Sequence, residues 1–89
     1  MVELLIAYNG TKWWSLNGTY HRANGPAIIE SHGDYFWYWY GQRHRVDGPA
    51  VYQKYGSIMW FWHGKKVNEY EHMMLDNTIY NKEMHNNEV

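Results

Sequence analysis

Trp14 to Ile29, WSLNGTYHRANGPAII, and Trp37 to Tyr52, WYWYGQRHRVDGPAVY, are two copies of one pattern set 23 residues apart. The offset runs outward in both directions. Gly10, Gly33 and Gly56 form one series, Gly18, Gly41 and Gly64 a second, and Gly25 with Gly48 a third, which accounts for all eight glycines. Both prolines, Pro26 and Pro49, keep the same step. So do the indoles: Trp14, Trp37 and Trp60 share one position, and Leu16, Trp39 and Trp62 another. Self-similarity at a fixed period marks a repeat architecture, in which each unit buries its apolar side against its neighbours.

Glycine at constant offsets marks points where the backbone turns or is closely approached. The runs between are about six residues long and rich in aromatic and β-branched side chains, which suits strands and is too short for helices. Strands are expected near Glu3 to Tyr8, Lys12 to Leu16, Ala27 to Ser31, Tyr35 to Tyr40, Ala50 to Lys54 and Ile58 to Trp62. Asn9-Gly10, His32-Gly33-Asp34 and Gly56-Ser57 then join adjacent strands as hairpin turns, and longer links such as Asn17 to Gly25 join one hairpin to the next. The expected fold is mainly β: an antiparallel meander of about six strands over residues 1–67, built from hairpin repeats, with residues 68–89 forming a C-terminal α-helix and a short tail.

Side chains alternate across a strand. Trp14 and Leu16, Trp37 and Trp39, and Trp60 and Trp62 therefore share one face, which is expected to be the core. Trp13, Ser15 and Asn17, then Phe36, Tyr38 and Tyr40, then Met59, Phe61 and His63 occupy the other. That side varies between copies yet is rich in large rings, so a partly covered or ligand-facing surface is expected there.

At 89 residues, with no cysteine, the chain fits one small domain without disulfides or thiolate metal sites. Its aromatic content of 19% gives a short chain much area to bury. No apolar run is long enough to span a bilayer and no secretory leader is evident, so a cytoplasmic protein is expected. The net charge of −1 hides an asymmetry. Up to Lys66, seven basic residues face four acidic ones; beyond it, Lys82 faces Glu69, Glu71, Asp76, Glu83 and Glu88. A body so weakly basic is poorly matched to long nucleic acid, and an acidic tail to anionic membranes.

The spacing W-x-x-x-G-x-x-H-x-x-x-G resembles the MORN repeat, a hairpin unit that stacks into an elongated sheet. The versions His21-Arg22-Ala23-Asn24-Gly25-Pro26-Ala27 and His44-Arg45-Val46-Asp47-Gly48-Pro49-Ala50 more closely resemble MORN-like repeats in small accessory proteins of tailed phages. The likeness covers roughly Leu4 to Val67. It ends where Lys65-Lys66-Val67-Asn68 replaces the histidine-arginine segment. The family implies binding of lipid headgroups, proteins or further copies of itself, and it brings no catalytic residues. A phage setting implies the host cytoplasm and counter-defence.

Asn68-Glu69-Tyr70-Glu71 has the form of a capping box, and a helix from about Glu69 to Met84 is expected behind it. Tyr70, Met73, Met74, Asn77, Tyr80 and Met84 lie on one stripe, with Leu75 and Ile79 widening it, and this stripe is expected to cover an open end or face of the sheet or to pair with another chain. Residues His85 to Val89 are expected to be a loose end.

Two readings stand for the paired His21-Arg22 and His44-Arg45. In one, each histidine bonds a neighbouring loop carbonyl and each arginine stacks on a tryptophan or pairs with Asn24 or Asp47. In the other, guanidinium forks beside aromatic rings take a phosphate or a base. The ligand-facing set is then His21, Arg22, Tyr38, Tyr40, Arg43, His44, Arg45, Phe61, His63 and Lys65. No metal site is expected at His21, His32, His44 or His63, which lack i, i+4 partners and cysteine. No other cofactor is expected, and polar residues at repeated positions argue against a catalytic centre. The expectation is a non-enzymatic binder of a small phosphorylated, nucleotide-type ligand, with a protein-interaction module as its rival and a homodimer as its state.

Overall fold

The computed structural model describes residues 1–75. Ten strands and the first turns of a helix follow one another: β1 (Glu3–Ile6), β2 (Lys12–Leu16), β3 (Thr19–Tyr20), β4 (Ile28–Ile29), β5 (Tyr35–Phe36), β6 (Tyr38–Trp39), β7 (Gln42–Arg43), β8 (Val51–Tyr52), β9 (Ile58–Trp62), β10 (Lys65–Val67), and α1 over 69–75. The protein is mainly β, as expected. One antiparallel sheet runs β1-β2-β4-β5-β8-β9-β10, with β3 beside β2, and β6 pairs with β7. No helix among the described residues is long and apolar enough to cross a membrane.

Two kinds of turn, each used three times, generate the repeat. The first spans residues 7–11, 30–34 and 53–57. In it the N–H of Ala7, Glu30 or Gln53 donates to the carbonyl of Thr11, Asp34 or Ser57, at 2.7 to 2.9 Å. The second was read from the sequence as part of a longer link and is a tight hairpin. Asn17-Gly18, Tyr40-Gly41 and His63-Gly64 all have positive φ at both positions, from 46° to 50° and then 82° to 85°. Such pairs form the I′ turn, whose twist matches that of the flanking strands. These hairpins add β3, β7 and β10, and the expected strand over Tyr35 to Tyr40 divides at Trp37 into β5 and β6, which is why ten short strands stand where six longer ones were expected.

The sheet is a single layer. Its extents are 56 × 33 × 17 Å and its radius of gyration is 15.3 Å, where a compact chain of this length would have about 12 Å. This overturns the expected core. None of the six tryptophans is buried, and Trp39 is 37% exposed. Among the described residues no second sheet covers the indole side. The buried apolar residues are instead Ala27, Ala50, Val51, Phe61 and Val67. Cross-strand register explains the set: Trp13 faces Ile28, Ile28 faces Phe36, Phe36 faces Val51, and Val51 faces Met59. This row, Trp13 included, lies on the side opposite Trp14, Trp37 and Trp60, and its Phe36, Val51 and Met59 pack with Phe61. Alternation along β8 puts Val51 in it and leaves Ala50 beneath Trp37.

At the C-terminal end the capping box forms as expected. The Glu71 N–H donates to Asn68 Oδ1 (2.7 Å) and the Asn68 N–H donates to Glu71 Oε1 (3.0 Å). Among the described residues the helix docks by His72. His72 is 3% exposed against Trp60 and Trp62, whereas Tyr70, Met73, Met74 and Leu75 are exposed. The remainder of the expected helix and tail, residues 76–89, lies outside the described residues.

Candidate functional site

Each full repeat closes its loop with an arginine laid flat on an indole. Arg22 Cζ lies 3.8 Å from the Trp14 ring centre and Arg45 Cζ lies 3.9 Å from that of Trp37. Nη1 of each donates to the carbonyl four residues on, Arg22 to Pro26 (3.2 Å) and Arg45 to Pro49 (3.1 Å). Arg45 Nε also donates to Asp47 Oδ1 at 2.9 Å. The recurrent glycine follows from this geometry. A Cβ at Gly48 would sit 2.7 Å from Arg45 Cζ, and one at Gly25 would sit 3.0 Å from Arg22 Cζ. The R-x-x-G-P spacing is thus a clamp, with indole below the guanidinium and loop backbone above it.

The histidines brace the array along its length. His21 is buried, and its Nδ1 accepts the Tyr40 N–H (3.0 Å); His44 Nδ1 accepts the His63 N–H (2.9 Å). The bond therefore goes to a donor 19 residues ahead, in the next I′ turn, and not to a carbonyl in a neighbouring loop as the sequence suggested. Tyr40 and His63 hold a left-handed backbone that is unusual for side chains of their size. The imidazole of the preceding repeat fixes each of them, with ring centres 4.2 Å apart for His21 and Tyr40 and 3.9 Å for His44 and His63. Burial holds the His44 pKa below its ordinary value, and the neighbouring His63 and His72 lower it further.

Between successive arginine loops lies a groove of 840 Å³, within the usual range of ligand pockets. Arg22, Tyr38, His44 and Arg45, all expected to face a ligand, line it; Trp37, Trp39 and Asp47 complete its aromatic floor and acidic edge. The other expected residues lie elsewhere. His21 is buried behind Tyr40. Arg43 is on the opposite side of the sheet, over Phe36 and Phe61, with its Nε donating to the Tyr38 hydroxyl (3.2 Å). Phe61, at 8% exposure, is core and not ligand surface. His63 stacks on His44, and Lys65 borders a separate 390 Å³ hollow against Tyr70 and Met74 of α1.

A second groove, of 570 Å³, adjoins the first and shares Trp37 and Arg45 with it. Tyr35, Tyr52, His32 and Lys54 also line it. The two tyrosines were outside the expected ligand-facing set, being separated along the chain with nothing in the sequence to pair them. Register brings them opposite each other, with rings 5.9 Å apart and nearly parallel at 22°.

One further cluster was missed. In the 30–34 turn, His32 Nε2 lies 3.1 Å from Glu30 Oε2 and 3.0 Å from Asp34 Oδ2. The Lys54 backbone N–H donates to Asp34 Oδ1 (2.9 Å), and this bond is the main reason the carboxyl pKa lies below its ordinary value. The three ligand atoms lie within 4.8 Å of one another and could hold a metal ion by geometry. Hydrogen bonding of the His32 ring nitrogen to the two carboxylates accounts for the same arrangement. The signal in sequence is E-x-H-x-D, which the equivalent turns, 7–11 and 53–57, do not repeat.

Compared with family models, curated proteins and solved structures, the chain matches none of them.

Proposed function

We propose that this chain is a non-enzymatic, MORN-like binding protein that takes a small phosphorylated, nucleotide-type ligand in the groove between its arginine loops. The observation that carries the reading is the joint lining of that groove by Arg22, Arg45, Trp37 and Trp39. Guanidinium groups suit phosphate, and indole rings suit a base. Both guanidiniums are already oriented by indole and carbonyl, so little side-chain entropy is lost on binding. In the phage setting that the H-R-x-[ND]-G-P-A resemblance implies, the ligand is a nucleotide-derived host immune signal, sequestered in the host cytoplasm. Calorimetric titration with a panel of mononucleotides, dinucleotides, cyclic nucleotides and ADP-ribose tests this. Micromolar or tighter binding that Arg45→Ala weakens at least tenfold is expected. No heat with any member of the panel overturns the reading.

A protein partner is the second reading, favoured by one observation. The edge strand β1 exposes Leu4, Leu5 and Ile6 at 49%, 62% and 58%, and an apolar open edge is a template for another strand. A homodimer joined there would be converted to monomer by Leu5→Lys, as read by light scattering. An unchanged mass for that variant removes this route.

A further inference from the structure

The two grooves on the indole side are not repeated along the array. Their common wall, Arg45 on Trp37, has a counterpart in Arg22 on Trp14. What lies beyond that wall differs. Tyr35 and Tyr52 of the second copy correspond by the 23-residue step to Lys12 and Ile29 in the first, and Lys54 corresponds to Ser31. An aromatic floor next to a clamped arginine is therefore built once, at the middle of the sheet. Structural positions recur in this chain, and a constellation that breaks the recurrence is what a ligand site requires.

We propose that these grooves form one bipartite site whose ligand has two flat rings joined by an anionic bridge, as in a dinucleotide. This rests on the nucleotide reading above and specifies its substrate class. The bridge lies at Arg45, the only charged residue common to both compartments. Its hydrogen bonds to Asp47 and Pro49 occupy Nε and Nη1, and a guanidinium carries five N–H bonds in all, so donors remain to meet the bridge. One ring is received on the Trp37 and Trp39 side. The other lies against Tyr35 and Tyr52, which are 36% and 41% exposed and whose rings are stacked with centres 5.9 Å apart and planes 22° from parallel. No carboxylate lines the tyrosine compartment itself, Glu30 and Asp34 being engaged with His32 behind its rim, and Lys54 joins Arg45 there as a second cation to meet further phosphate.

Adenylyl-(3′→5′)-adenosine and AMP separate the compartments, since the first adds a second base to a single phosphate. Calorimetry with the full chain is expected to give the dinucleotide at least tenfold tighter binding than AMP. Tyr52→Ala is expected to reduce the dinucleotide to the level that AMP shows with the same variant, and Tyr52→Phe, which keeps the ring, to restore the difference. The exposure of Tyr52 makes both variants compatible with folding, and an unchanged tryptophan emission spectrum checks it. Equal affinities for the two probes, or a Tyr52→Ala variant that keeps the difference, overturn the bipartite site while the nucleotide reading stands. Binding of another member of the panel without either probe does the same. Silence across the whole panel overturns both.

Discussion

The second and third copies of the repeat cover the same indole by different means. In the second, Arg45 from the loop of the same copy lies on Trp37; in the third, the position equivalent to Arg45 is Asn68, and Trp60 is covered by His72 from the first turn of α1. His72 also bonds the Arg45 carbonyl through Nε2, so it ties the end of the array to the loop before it. The brace changes in the same place. His21 and His44 each fix a turn 19 residues ahead, whereas the equivalent Val67 is simply buried. What is preserved from copy to copy is a covered indole and a filled inward position. The residue that does each job is free to change once there is no following repeat to hold.

The largest expected effect separates the copies by their cores. Phe61 and Tyr38 are equivalent positions, but Phe61 is buried and Tyr38 only half-buried. Phe61→Ala should cost about 3–5 kcal/mol and Tyr38→Ala about 1 kcal/mol, measured by urea denaturation. Equal losses would mean that the third copy is no more the core than the second. His72→Ala should cost about 2 kcal/mol, because it leaves the Arg45 carbonyl and two indoles uncovered. Circular dichroism should show the helical signal lost before the sheet melts. His21→Ala orphans the Tyr40 N–H in a left-handed turn and should cost about 1–2 kcal/mol. His44→Ala should cost less, since its bond to His63 is exposed.

Acid should weaken the brace between the second and third copies. The folded state holds the His44 pKa below its ordinary 6.5. Above that value the ring is neutral in both states. As the pH falls below it, the unfolded chain takes up a proton that the folded chain resists, so stability drops until the lower folded pKa is passed. Urea midpoints should decline from pH 7 towards 5.5 and flatten in His44→Gln, assigned by comparing the two curves. The smallest effect tests the clamp. Arg45→Lys keeps the charge and loses the planar stack, at about 0.5–1 kcal/mol, with a change in tryptophan emission as its signature.

Much of this was legible from the chain alone, for a physical reason. A 23-residue spacing of glycine, proline and tryptophan reflects backbone turns and close approaches, which are local demands on residue type. It therefore gave the repeat and the strand class, and it offered arginine on indole as one of two readings; the capping box was read separately, from Asn68 to Glu71. The ligand-facing set was read less well. Four of its residues line the arginine groove, but Phe61 and Arg43 lie on the other side of the sheet or within its core.

Which face is buried depends on whether a second layer exists, and strand alternation is silent on that. Side chains of period two mark two faces without saying which is inside. Only the tertiary structure decided that Val51 and Phe61 form the interior while the indoles are roofed by two arginines and one histidine. It alone brought Tyr35 opposite Tyr52, because cross-strand neighbours are set by register and not by distance along the chain.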